Sequence, residues 1–240
     1  MSNHIATMLR YEFKYMLSKE QCDYIKQSLV GHMSIDSYGK TTIVSLYYDT
    51  PDLYLIRTSV EKPKFKEKIR TRAYGLVTNG DKIFLEVKRK VNGIVYKRRV
   101  KTSEQEAADF FAFKSNLSEG SQIAREICYT RDFYKNLQPA IMILYDRYAY
   151  LQDNSDLRVT IDENPRYRTE DLNLHTSTEG TSLLPPGGAI LEIKVQGAMP
   201  LWLTKILAEG KIYKTSFSKV GEAYKKCYAT ITSIERKSAL

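Results

Sequence analysis

The sequence predicts an α+β fold: an antiparallel sheet of about eight strands, closed or nearly closed into a barrel, with helices packed on its outside. Strand-like runs rich in β-branched and aromatic residues follow one another in hairpin order. Helically spaced apolar residues lie between and after them, opened by Ser-x-x-Gln and Ser-x-x-Glu capping pairs. The third observation is charge. In RYEFKY from Arg10, KEKIRTRAYG from Lys66 and ILEIKV from Ile190, charged residues fill every second position. Side chains alternate faces along a strand, so Lys68, Arg70 and Arg72 share one face while Ile69 points the other way. Arg10, Glu12 and Lys14 share a face in the same manner, as do Glu192 and Lys194. Like charges on neighbouring strands repel unless an anion sits among them, so this mostly cationic face asks for a polyanionic ligand.

The elements follow in order. Residues 8–16 read as a strand, and Ser18 with Gln21 caps a helix of about three turns carrying Cys22, Ile25 and Leu29. Thr41 to Asp49 is a strand that ends in the turn chemistry of Thr50-Pro51-Asp52. Strands at 64–74 and 82–90 are joined by a loop holding Asn79-Gly80, and Asn92-Gly93 turns the chain into a strand at 94–101. Ser103 with Glu106 opens a helix carrying Ala107, Phe110, Phe111 and Phe113, and a further helix over 121–137 stops before Pro139. Strands return at 140–151 and 157–162. A Pro/Gly/Ser/Thr-rich stretch from Asn164 to Gly188 is too long for a plain connection and reads as an insertion or functional loop. A strand at 189–196 precedes helices near 200–209 and 218–233, Trp202 packing on the first of them.

With 240 residues and a net charge of +9, the chain has ample length for a core and points to anionic partners. We expect one domain over 1–240 with flexible ends at about 1–7 and 234–240. No apolar run is long enough to span a bilayer and no leader-like segment opens the chain. Cys22, Cys128 and Cys227 are odd in number and widely spaced, which fits reduced thiols in a cytoplasmic protein. His4, His32 and His175 have no neighbours that would make them ligands or bases. Charges alternate within strands instead of clustering on one helix, so nucleic acid is not the expected partner.

If the charged faces turn inward, the barrel encloses a wet or occupied cationic tunnel, with Leu85, Val87, Met142 and Leu144 outward under the helices. Its lining would be Arg10, Glu12, Lys14, Lys68, Arg70, Arg72, Glu86, Lys88, Lys97, Arg99, Arg147, Arg158, Glu192 and Lys194. Glu86 reads as an ion-pair partner that holds its cationic neighbours upright, and Glu12 as either that or a metal contact.

Through RYEFKY, YYDTPD (Tyr47 to Asp52), KIRTR (Lys68 to Arg72), LEVKRK (Leu85 to Lys90) and YKRR (Tyr96 to Arg99), the chain resembles the triphosphate tunnel metalloenzymes, the CYTH superfamily. YDR (Tyr145 to Arg147), RVTID (Arg158 to Asp162), LEIK (Leu191 to Lys194) and FSK (Phe217 to Lys219) continue the resemblance, which is strongest to the polyphosphate polymerase domain of the vacuolar transporter chaperone (VTC) proteins. The resemblance implies a metal-dependent phosphotransferase that passes the γ-phosphate of ATP to a polyphosphate chain. It implies Lys14, Arg70, Arg72, Arg147 and Arg158 as catalytic residues holding the donor triphosphate. Arg10, Lys68, Lys88, Lys97, Arg99, Lys194 and Lys219 would bind phosphate, with Tyr145 and Ser218 as hydrogen-bond donors. Glu192, with Glu12, would carry Mn²⁺ or Mg²⁺. Hydrolytic relatives open with Glu-x-Glu-x-Lys, whereas Arg10-x-Glu12-x-Lys14 matches the polymerase branch. An inorganic tri- or polyphosphatase of the same fold, and a non-catalytic module holding polyphosphate or an inositol pyrophosphate, remain the alternatives.

Overall fold

The computed structural model describes residues 11–61, 63–78, 80–92, 94–117 and 120–227. Arg10, Asn79, Gly93 and the ends expected to be flexible, 1–7 and 234–240, lie outside the described residues, as do 8–9 of the first strand and 228–233 of the last helix. The chain forms two compact units, Met1–Thr41 with Asp146–Pro165 and Leu184–Phe217, and Thr42–Tyr145 with Arg166–Leu183 and Ser218–Leu240.

In chain order the strands are β1 (Tyr11–Leu17), β2 (Ser34–Asp49), β3 (Phe65–Tyr74), β4 (Ile83–Val91), β5 (Ile94–Thr102), β6 (Gln138–Leu151), β7 (Arg158–Arg168), β8 (Thr181–Ser182), β9 (Ala189–Val195) and β10 (Lys214–Thr215). The helices are α1 (Lys19–Leu29), α2 (Tyr54–Glu61), α3 (Glu104–Phe111), α4 (Gln122–Tyr134) and α5 (Leu201–Glu209). A last helical stretch, α6, covers 219–227. The strands form one ten-stranded sheet in the order β10-β1-β9-β7-β6-β2-β3-β4-β5, with β8 on β7. The expected eight strands are all present, and the two-residue β8 and β10 are additions. Among the described residues the hydrogen-bonded path runs from β10 to β5.

Both capping boxes form as the sequence predicts. Ser18 Oγ accepts from the Gln21 amide and Gln21 accepts from the Ser18 amide, and Ser103 and Glu106 do the same for α3. Each box satisfies helix-end donors that have no partner within the helix. α2 was not predicted. It starts because the Asp49 carboxylate, fully buried at the end of β2, accepts from the amides of Leu55 and Ile56, both at 2.8 Å. Phe113 does not continue α3: it lies beyond the helix at φ 58°. α4 ends at Tyr134 and not 137, because Lys135 turns the backbone to φ 58°. The long stretch after Asn164 is partly strand. β7 runs on to Arg168 and pairs with β8 through Arg166 opposite Ser182 and Tyr167 opposite Thr181. Gly180 is required there, since a Cβ would stand 2.7 Å from the Tyr167 carbonyl oxygen.

In the second unit the even-numbered side chains of β2 and β6 and the odd-numbered ones of β3 and β4 form one apolar face. Leu46, Ile69, Leu85, Val87, Met142 and Leu144 pack there under Phe110 and Phe111 of α3 and Ile127 of α4. In the first unit Tyr15, Val159, Ile161, Leu191 and Ile193 pack under Ile25 and Leu29 of α1 and Leu203 of α5. Fully burying one such aliphatic side chain contributes about 1.5–3 kcal/mol. With helices covering these faces, the alternate side chains are left for the charged residues. The charged face is not wholly polar, however. On the same side of β2 as Arg70's partner Tyr47, the residues Ile43, Ile141, Ile143 and Tyr145 pack with Val220 and Ala223 of α6. In AIMILY every position is apolar, so β6 is buried on both faces there, as such runs are in strands covered on both sides.

Candidate functional site

Register sets the charged face of the second unit into two cross-strand rows. In one, Tyr47, Arg70, Glu86 and Arg99 are successive partners across β2, β3, β4 and β5. In the next, Lys68, Lys88 and Lys97 stand opposite one another. Such a like-charge ladder is destabilising by itself. Glu86 answers part of it from a nearly fully buried position. Its Oε2 accepts from Arg70 Nε and Nη2 at 2.9 and 2.7 Å, and its Oε1 from Arg99 Nε at 2.6 Å and Lys97 Nζ at 2.9 Å. Burial pushes the Glu86 carboxyl up, but the charges of Arg70, Arg72 and Lys97 outweigh it and hold the group well below the usual carboxylate range. Lys97 goes the other way. Its burial, with Arg99 and Arg70 beside it, lowers it to about 8 in spite of Glu86.

Arg72 is buried and donates from Nε to Ser45 Oγ at 3.1 Å and from Nη2 to Tyr145 Oη at 3.1 Å. Lys68 Nζ donates to Ser218 Oγ at 2.9 Å, and Lys219 Nζ sits 4.2 Å from the centre of the Tyr145 ring. Strand alternation divides the basic residues of the β4–β5 hairpin between two faces. Lys97 and Arg99 join Glu86, whereas Arg89 and Arg98 lie on the opposite face, Arg98 Nε donating to Glu126 at 2.6 Å and Arg89 pairing with Glu67.

Tyr47, which the sequence offers only as the first residue of YYDTPD, joins the charged group. Arg70 Nη1 donates to its phenol oxygen at 2.7 Å. Burial alone would raise the phenol, yet Arg70, Lys68 and Arg72 bring it down to about 7. Nothing in the local sequence carries that signal, because the three cations come from the neighbouring strand. A polyanion that neutralises those cations returns Tyr47 and Lys97 toward their ordinary values, so both groups take up protons on binding. Titrating tripolyphosphate at pH 8 in buffers of different ionisation enthalpy should therefore show net proton uptake, smaller in Tyr47→Phe. Equal uptake in the variant would remove Tyr47 as a titrating group.

In the first unit, Lys14 of β1, Glu192 of β9 and Thr160 of β7 form one row, and Glu12, Lys194 and Arg158 the next. Lys14 Nζ lies 3.3 Å from Glu12 and 3.7 Å from Glu192, and Lys194 Nζ 2.5 Å from Glu192. Burial pulls Lys14 down, but the Glu192 and Glu12 carboxylates more than offset it and the pKa is raised. Burial likewise pushes Glu192 up, and Lys194, Lys14 and Arg147 hold it well below the carboxylate range. Arg147 donates to both oxygens of the fully buried Asp162, at 2.6 and 2.8 Å. Arg158 is the most open of the set, 4.0 Å from Asp36. The expected site residues thus fall into a group around Glu86 and a group around Glu192, and only Arg10 lies outside the described residues.

Mg²⁺ and Mn²⁺ take hard oxygen ligands, and such ions are commonly held by one or two carboxylates with the remainder from water and phosphate. Glu192 and Glu12 both reach Lys14, and the buried Thr160 Oγ, opposite Glu192, has no hydrogen-bond partner. That all-oxygen set fits such an ion, which would displace the ammonium groups now on Glu192. Among the described residues no cluster of three or more His, Cys, Asp or Glu is present, so phosphate oxygens and water would complete the shell.

The family model described as the VTC domain matches residues 9–228. No curated protein sequence matches the chain. Among solved structures, a putative adenylate cyclase from Bacillus halodurans is similar at 15% identity with a TM-score of 0.52, over 88% of this chain and 96% of that one. A putative adenylyl cyclase from Hippeastrum, described as having a dominant triphosphatase activity, is 16% identical with a TM-score of 0.47, over 87% of this chain and 91% of that one. Among the described residues no helix is long and apolar enough to cross a membrane. With a match spanning nearly the whole chain, over the strands that carry both charged groups, the chain belongs to the VTC domain family.

Proposed function

We propose that the chain is a metal-dependent polyphosphate polymerase that transfers the γ-phosphate of ATP to the end of a polyphosphate chain. The observation that carries this reading is the Lys68–Lys88–Lys97 row beside Arg70, Arg72 and Arg99: repeated cations at strand spacing. Repeated cations suit a repeating anion. Lys14, Arg70, Arg72, Arg147 and Arg158 are assigned to the donor triphosphate, and Lys68, Lys88, Lys97, Arg99, Lys194, Lys219 and Ser218 to the chain. Arg72 holds the Tyr145 hydroxyl in place for a phosphate oxygen.

Phosphoryl transfer leaves a protein little covalent work; it must hold donor and acceptor in line and neutralise charge on the oxygens. The bond between the β-phosphate's bridging oxygen and the γ-phosphorus breaks, and a terminal chain oxygen bonds to that phosphorus, with ADP as the leaving group. Arginine forks hold the nonbridging oxygens by paired, charge-assisted bonds. Glu192 would hold a divalent ion, which when bound would supply further neutralisation of charge on the phosphate oxygens. Tyr47, with its pKa near neutrality, is placed to hold or release a proton beside Arg70.

Purified protein incubated with ATP and Mn²⁺, its products resolved by size, tests the reading. A ladder of phosphate chains is expected. Orthophosphate without chain growth would make the protein a hydrolase, and binding of tripolyphosphate without turnover a non-catalytic module.

A further inference from the structure

Glu86 pairs with cations from both rows of the second unit's charged face, Arg70 and Arg99 of one and Lys97 of the other, and these partners differ in their freedom. Arg70 is a fork on Oε2, with its side chain 18% exposed and its remaining nitrogen on Tyr47. Lys97 and Arg99 share Oε1, and their side chains are 44% and 31% exposed. A buried carboxylate with two such partners resembles an anion already seated in the site. We infer that Glu86 is a resident counter-anion that tempers the affinity of this face: it keeps Arg70 fixed and gives up Lys97 and Arg99 to an incoming chain of phosphates. The ligand class rests on the polymerase reading above, but the exchange itself is a property of the charges.

The physical basis is competition. In the free protein the carboxylate spares Lys97 and Arg99 a fully unpaired state, which is costly for partly buried cations. A phosphate chain brings stronger and more numerous acceptors, and charge-assisted bonds to it replace those to Oε1. Glu86 remains beside the ligand as a fixed negative charge and weakens its hold. At an effective dielectric constant of about 20 and a separation of a few ångströms, one unit charge is worth at least a tenfold change in affinity. A chain that must advance through a site gains from such restraint, since each step requires its phosphates to leave one set of cations for the next.

Glu86→Gln keeps the shape and removes the charge, and we expect it to bind tripolyphosphate at least about tenfold more tightly in calorimetric titration. Glu86→Asp keeps the charge one methylene shorter and should bind within about twofold of the wild type. Weaker or unchanged binding by the Gln variant overturns the inference. So does an Asp variant as tight as the Gln variant, because loosened packing and not charge would then set affinity. A third measurement needs no variant at Glu86. In ¹⁵N-labelled wild type, tripolyphosphate should move the Arg99 Nε–H resonance, assigned through Arg99→Lys, and leave that of Arg98, which pairs with Glu126 on the opposite face. An unmoved Arg99 resonance in ligand-saturated protein overturns the exchange. Tripolyphosphate binding without transfer from ATP would refute the polymerase reading and leave the exchange standing, whereas a wild type that does not bind tripolyphosphate refutes both.

Discussion

Arg147→Ala is expected to unfold at a temperature lower by on the order of 10 °C, from a loss of about 3–5 kcal/mol. Arg147 places two nitrogens on the two oxygens of Asp162, whose side chain is fully buried. Truncation takes away that bidentate partner and leaves the carboxylate charge inside the protein, which is the costly way to break a buried pair. Arg147→Lys keeps the charge without the fork and should fall between the two. The charge count alone argues the opposite: in a crowd of cations, removing one should relieve repulsion and raise stability. The crowd, however, is paired, and Arg147 faces an acid that the count did not place. Thermal and urea unfolding of the two variants decide the matter. An Arg147→Ala protein melting within a degree of the wild type would show that Asp162 does not depend on the fork.

Glu192→Gln should lower metal-dependent turnover by at least about a hundredfold while tripolyphosphate affinity stays within a few-fold. On the proposed reading many cations share the grip on phosphate, whereas Glu192 is the buried carboxylate proposed to hold the divalent ion, with Lys14 and Lys194 around it. The amide cannot bind a hard ion as the carboxylate does. Single-turnover rates at saturating Mn²⁺, paired with a titration of Mn²⁺ binding in the presence of tripolyphosphate, separate the effects. Near-normal turnover and metal binding in the variant would falsify Glu192 as the ligand and direct attention to Glu12. The same residue predicts an acid response. Its folded pKa is depressed, so its ion pairs stabilise the protein fully above the unfolded value of 4.5, and that contribution is lost as pH falls toward the folded value. Below pH 4.5 the wild type should therefore lose stability more steeply than Glu192→Gln.

The parts that were legible are those in which neighbouring residues hold the whole physical cause. Ser18 with Gln21, and Ser103 with Glu106, satisfy helix ends within one turn. Alternation at Lys68, Arg70 and Arg72 fixes a shared face because strand side chains repeat every second residue. The alternation even told Lys97 and Arg99 from Arg98, which faces Glu126 on the other side. Where both faces of a strand are apolar, as at Ile141 to Leu144, the pattern has no period to read, and the cluster with α6 stayed hidden. α2 was missed for a related reason: the acceptor for Leu55 and Ile56 is Asp49, a carboxylate in the preceding strand.

By itself the sequence determined which residues are cationic, which of them share a face, and that such a face calls for counter-charge. Only the tertiary structure decided who neutralises whom. Glu86 meets Arg70 from β3 and Lys97 and Arg99 from β5, Asp162 meets Arg147 from β6, and the Tyr47 phenol meets an arginine 23 residues away. Charge is a property of each residue and can be counted along the chain. The pairing energy depends on distance and burial, which arise only when register brings separate strands together.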